Sequence, residues 1–173
     1  MDVYLRGRLD ILNNLKKIIT MTQEEKDLLI KDLCGRLAHG VICSIYREDD
    51  EGFGWRDAEC KGYFQNNDSY EFYFEDVIAV DNIERLKPYL RPMSSMTEEE
   101  EKELSKKYVW NIWSGQIQIR YHSQGCWDDE TECPTEEYII LLDWLNAHHF
   151  DYRGLIEKGL ALEAPKDMYK YNN

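Results

Sequence analysis

From Tyr70 to Val80 the chain alternates: Tyr70, Phe72, Phe74, Ile78 and Val80 share one face, and Glu71 and Glu75 share the other. Successive side chains on a strand point to opposite faces, so a period of two marks a half-buried antiparallel strand. Such a strand needs partners beside it and a layer over its apolar face. Val41 to Tyr46 and Ala58 to Phe64 read as further strands, set off by Gly40, Gly52, Gly54 and Asn66-Asn67-Asp68. Gln116 to Tyr121 alternates Ile117, Ile119 and Tyr121 against Gln116, Gln118 and Arg120. A small antiparallel meander or barrel is expected.

The covering layer is helical. Thr22 with Glu25, and Thr97 with Glu100, have the spacing of capping boxes, which satisfy the free N–H groups of a helix start. After Thr22, Leu29, Leu33 and Leu37 fall on one face, and Gly40 suits a left-handed stop. Glu98 to Glu101 sit at the positive end of the second dipole, a solvated helix start. From Thr135 a further helix carries Tyr138, Leu141, Leu142 and Leu145 on its core face, and Asp151 to Lys158 reads as a short helical turn closed by Gly159. Ahead of all of these, Leu5, Leu9, Leu12, Leu15 and Ile19 form the stripe of an amphipathic helix with Arg6, Arg8, Lys16 and Lys17 off it. It can dock on its own domain, pair with a second subunit or touch a membrane surface. The expected fold class is α+β: a small antiparallel β-meander or barrel packed with about four helices, plus the N-terminal amphipathic helix. Residues 1–20 read as an extension, 21–165 as a single domain and 166–173 as a flexible tail.

Composition narrows the function. A chain of 173 residues with 43% hydrophobic residues supports one packed core. A net charge of −13 argues against direct nucleic-acid binding, which depends on Lys and Arg displacing counterions. Between Tyr121 and Tyr152 there is no Lys or Arg, while Asp128, Asp129, Glu130, Glu132, Glu136, Glu137, Asp143 and Asp151 are all acidic. That stretch would attract a basic partner. Five cysteines, Cys34, Cys43, Cys60, Cys126 and Cys133, stand at irregular spacings that suit free thiols in a reducing cytoplasm. Cys126 and Cys133 lack the close pairing of a zinc site, so no metal or cofactor is expected. No apolar run reaches the roughly eighteen residues of a membrane span, and a soluble cytoplasmic protein is expected, with no membrane partner.

Two groups of residues offer chemistry. Trp144 and His148 are i, i+4 neighbours, followed by His149, Asp151, Tyr152 and Arg153. A ring, an imidazole and a guanidinium at one helix end can stack a base and hold a phosphate, or simply staple the helix to the sheet. The second group is Tyr89, Arg91, Ser94 and Ser95, in the stretch Lys87 to Pro92 and just beyond it, where Pro88 and Pro92 impose an ordered loop or an extended crossing. Hydroxyls and an arginine close to the Thr97 helix start can form an anion site, or shape the turn alone. No phosphate loop, nucleophile elbow or H-E-x-x-H occurs. No catalytic residue is therefore assigned, and His122, Cys126 and His148 are the one base and nucleophile set to weigh.

Three stretches carry a resemblance: Asp32-Leu33-Cys34-Gly35-Arg36-Leu37 running into Gly40-Val41-Ile42-Cys43, then Leu86 to Glu101 (LKPYLRPMSSMTEEEE), and Leu142 to Pro165 (LDWLNAHHFDYRGLIEKGLALEAP). The chain from Met21 onward resembles a family of small proteins encoded by phages and prophages of gut bacteria. The resemblance transfers no activity or catalytic residue. It implies the cytoplasm of a host bacterial cell, and inhibition of host antiviral defence by binding. In one form the protein is a homo-oligomeric sponge for a nucleotide-type immune signal, built through the N-terminal helix, with Arg36, Arg91, Arg120 and Arg153 beside aromatic or hydroxyl residues. In the other, the acidic face imitates nucleic acid and blocks a basic host protein. A hydrolase of a nucleotide signal is the third form.

Overall fold

A computed structural model describes residues 21–49, 52–66, 69–74, 79–80, 82–105, 108–109, 120–121 and 135–169. The N-terminal stripe, most of the Gln116–Tyr121 strand, the acidic residues 128–132 and His122, Cys126 and Cys133 lie outside them.

Both capping boxes form. In α1 (Gln23–Arg36) Glu25 N donates to Thr22 Oγ1 at 3.2 Å and Thr22 N donates to Glu25 Oε2 at 2.8 Å. Helix α1 buries Leu29 and Leu33, tightens into a 3-10 turn at Leu37–His39 and stops at Gly40, φ 70°. Only glycine takes that backbone cheaply, and a Cβ there would approach Glu59 Oε1 to 3.0 Å.

The strands are β1 (Ile42–Asp49), β2 (Gly52–Asn66), β3 (Ser69–Phe74), β4 (Ala79–Val80), β5 (Leu86–Leu90), β6 (Tyr108–Val109), β7 (Arg120–Tyr121) and β8 (Leu162–Glu163). Six of them form one sheet in the order β4-β3-β2-β1-β5-β8, and β6 pairs with β7 apart from it. Every pairing in the large sheet is antiparallel except β5 with β8. Among the described strands the meander is thus an open, mixed sheet with β4 and β8 at its edges.

Three local expectations change, and a choice between two is settled. The run from Tyr70 to Val80 holds two antiparallel strands, β3 and β4, because Phe72 pairs with Val80 and Tyr73 with Ala79. The alternation survives since both arms turn their apolar side to the core, with Phe72, Phe74 and Val80 all buried. Strand β2 starts at Gly52, where only a turn was expected, and Trp55 packs edge-on against Tyr46 at 5.5 Å across the β1–β2 ladder. The proline-bracketed stretch is the extended alternative: β5 lies between β1 and β8 with Leu86, Pro88 and Leu90 inward. Asp151 to Lys158 is a series of turns instead of a helix, since Gly154 is left-handed (φ 68°) and the Asp151 carboxylate takes Leu155 N and Ile156 N, each at 2.8 Å. Gly159, also left-handed, does close the stretch.

The described α-helices are α1, α2 (Glu98–Ser105) and α3 (Thr135–Ala147). The main core lies between the sheet and α1, joined by Leu155, Leu160 and Ala161. A second cluster, Leu104, Leu141, Leu145 and Phe150, gathers α2 and α3. The tail expected to fray is anchored as far as Tyr169: its hydroxyl donates to Tyr89 O at 2.9 Å and accepts from Ile42 N at 3.0 Å. No described helix is long and apolar enough to cross a membrane.

Candidate functional site

Phe150 is where the three motif-bearing stretches meet. Its carbonyl accepts from Arg36 Nη2 at 2.9 Å. Its residue forms a parallel bridge with Arg91, in which Arg91 N donates to His149 O at 2.8 Å and Asp151 N donates to Arg91 O at 2.7 Å. The Arg91 guanidinium lies over its ring at 4.2 Å. Trp144 and His148 continue a set of nearly parallel rings, 3.8 Å apart from each other and 5.8 and 6.3 Å from Phe150. Arg91 and the Trp144–His148 pair, separated by more than fifty residues, are therefore brought together through a residue that neither candidate group included.

The charges in this cluster are matched. Arg91 donates from Nη1 and Nη2 to Glu100 at 2.7 and 2.9 Å, and from Nη2 to Ser95 O at 3.2 Å. Partial burial works to raise the Glu100 carboxyl; hydrogen bonds from Arg91 and the Thr97 backbone, with the Arg91 charge, outweigh it and hold the group below its ordinary value. The anion site expected at the Thr97 helix start is thus filled by the capping-box carboxylate itself. Trp144 Nε1 donates to Glu103 at 3.1 Å, and His148 Nδ1 meets Trp144 O at 2.8 Å. These contacts tie α3 to α2 through Glu103, and Phe150 to Arg91, the residue after β5.

A second cluster lies behind it. Asp32 and Arg36 are both fully buried and form a two-pronged pair at 2.7 and 2.9 Å, with Arg153 Nε at 3.2 Å from the same carboxylate. Arg36 and Arg153 flank the Tyr152 ring at 5.4 and 4.8 Å, and the Tyr152 hydroxyl donates to Asn146 at 3.0 Å. Asp151 belongs to this interior and not to an acidic face. Tyr89 stands apart, its hydroxyl donating to Asp57 at 3.1 Å. The side chain of Arg120 lies outside the described residues.

Two grooves flank the turn at Met93–Ser95. One, of about 710 Å³, is walled by Pro92, Met93, Met96, Tyr152 and Ile156, with Ser94, Glu101 and Glu157 at its edge. The other, of about 600 Å³, runs from Arg91, Ser95 and Glu100 to the tail at Glu163–Tyr169. Of the first groove's lining, Ser94 and Tyr152 were candidates from sequence, whereas Met93, Met96, Ile156, Glu101 and Glu157 were not. The further signal was Met93 and Met96, three apart just after Pro92.

The described cysteines are muted as nucleophiles. Burial pushes the Cys34 and Cys43 thiols up, Cys43 strongly, and raises Cys60 to about 11. Among the described residues no group of three His, Cys, Asp or Glu side chains could hold a metal. The chain matches no family model, and comparison with curated proteins and with solved structures finds no match.

Proposed function

We propose that this protein is a binding protein whose carboxylate-rich surface captures and covers a basic partner. The observation that supports it is the state of its arginines. Arg91 faces Glu100 with both terminal nitrogens, and Arg36 and Arg153 share Asp32. An arginine that serves phosphate keeps its fork open to the ligand; the fork of Arg91 is closed from within, and Arg36 gives two of its nitrogens to Asp32. Exposed carboxylates are in the opposite condition: Glu99, Glu101, Glu157 and Glu163 have no ion pair among the described residues. With a net charge of −13, such a surface steers a cationic protein to it. In a chain that resembles phage-encoded proteins, the partner would be a basic host effector, and covering it would inhibit antiviral defence.

Capture of a nucleotide-type signal is the second reading, favoured by one observation. Arg36 and Arg153 bring two guanidiniums to the one Asp32 carboxylate beside the Tyr152 ring.

A thermal-shift comparison separates the two. A Lys- and Arg-rich peptide should raise the melting temperature of the purified chain, because a ligand that binds only the folded state stabilises it by mass action. Linear and cyclic nucleotides should leave it unmoved. Stabilisation by a nucleotide, lost in the Arg153→Ala variant, would reverse the order of the readings.

A further inference from the structure

The groove beside Met93 and Met96 offers an anion no cationic lining residue. None of its lining residues is Lys, Arg or His, and Glu101 and Glu157 stand exposed at its edge without an ion partner among the described residues. Its walls are apolar: Pro92, Met93, Met96, Tyr152 and Ile156 are each half-buried, so each keeps a face open to the groove. Methionine adapts its shape to an incoming side chain at little cost, a property of surfaces that accept varied apolar anchors.

Both walls are also set in advance. On one side Ser95 N donates to Pro92 O at 2.9 Å and Met96 N to Met93 O at 3.3 Å. On the other, the Asp151 carboxylate holds Leu155 N and Ile156 N, and Gly154 takes the left-handed turn between them. A prearranged groove loses little conformational freedom on binding. A volume of about 710 Å³ is of the size that takes a few side chains. The neighbouring groove differs, since Arg91 and Lys166 stand there among Glu100, Glu163 and Asp167, giving it no single sign.

We infer that the Met93–Met96 groove is the docking site for a partner segment carrying apolar side chains flanked by Lys or Arg. The inference rests on the basic-partner reading above and gives it a location. The apolar side chains meet Met93, Met96, Tyr152 and Ile156, and the cations meet Glu101 and Glu157.

The test uses the full chain and two short fluorescein-labelled peptides read by anisotropy. One alternates Leu pairs with Lys along a helical repeat; in the other, Ser replaces every Leu. The Leu–Lys probe should bind about tenfold tighter than the Ser–Lys probe, the worth of one well-placed apolar anchor. The double variant Glu101→Lys with Glu157→Lys should lose about tenfold in affinity for it, whereas Glu24→Lys with Asp27→Lys, the same change in net charge at exposed sites on α1 that line neither groove, should lose much less. Met93→Ser with Met96→Ser should abolish the preference for Leu; because those side chains also pack on the second core, the exposed glutamate pair is the deciding variant. Equal losses from both charge pairs, with no preference for Leu, would remove the groove while leaving a diffuse acidic surface for a basic partner. Failure of the unaltered chain to bind either probe would remove the basic-partner reading, and the groove with it.

Discussion

His149 shows how much one residue position can decide. It follows α3 in the left-handed region, φ 56°, with His149 N donating to Asn146 O and Phe150 N to Leu145 O, a closure usually left to glycine. Its ring is 3% exposed and stacks on Tyr169 at 3.7 Å. Burial first, then the charges of Arg36 and His39, push it from 6.5 down to about 3. The neutral ring is thus favoured in the folded chain, while the unfolded chain binds a proton below about 6.5. Its contribution to stability is complete above that pH and is lost as pH falls toward 3. Urea titrations from neutral to acid pH should show this loss, and His149→Asn, which tolerates the left-handed backbone, should flatten it between pH 6.5 and 4. Unchanged acid sensitivity in that variant would assign the effect elsewhere. Arg91 decides the neighbouring turn. Arg91→Ala strands the half-buried Glu100 and uncovers Phe150, and should cost about 2 kcal/mol by denaturant unfolding. Arg91→Lys should recover only part, because an ammonium cannot face both carboxylate oxygens or lie flat on the ring.

At the scale of elements, the local signals were the legible ones. A capping box needs only residues three apart, so both helix starts stood in the sequence as they stand in the fold. The alternation at Tyr70–Val80 told which side was buried but not that the chain reversed, because paired antiparallel strands share a face. Asp151–Lys158 misled for a related reason: its apolar spacing suits a helix, and only the side chain of Asp151 and the backbone of Gly154 turn it aside. The tail was illegible because Tyr169 acts at a distance. Its hydroxyl stands between Ile42 and Tyr89, just past the last β1–β5 ladder pair of Cys43 with Pro88. Tyr169→Phe should therefore cost about 1 kcal/mol and speed amide exchange at Ile42 while leaving exchange in β2 and β3 alone. A uniform speeding across the sheet would mean that the ring, not the hydroxyl, anchors the tail.

At the scale of the molecule, the candidate site was half visible. Arg91, Trp144, His148, Tyr152 and Arg153 stood out by type, but the partners that decide what they do, Glu100, Asp32 and Phe150, are ordinary in sequence and become informative only by contact. An arginine in a motif reads as an anion ligand until its carboxylate is found. Asp32 and Arg36 lie one helical turn apart on α1, yet their complete burial depends on α3 and the turns after it, which no local spacing records. The same distinction between inner and outer charge yields the last prediction. The arginine pairs are wholly or largely sheltered, so added salt barely reaches them, whereas Glu99, Glu101, Glu157 and Glu163 are exposed and are screened over about 8 Å at physiological ionic strength. Raising sodium chloride from low to physiological levels should thus leave the free chain as stable or more so, since its net charge of −13 repels itself. The same change should weaken capture of a basic partner by about tenfold or more. Capture through the sheltered Arg36–Arg153 cluster would respond little. Affinity and melting temperature measured over one salt series therefore separate an outer acidic interface, for which they move apart, from an inner guanidinium site, for which affinity stays level.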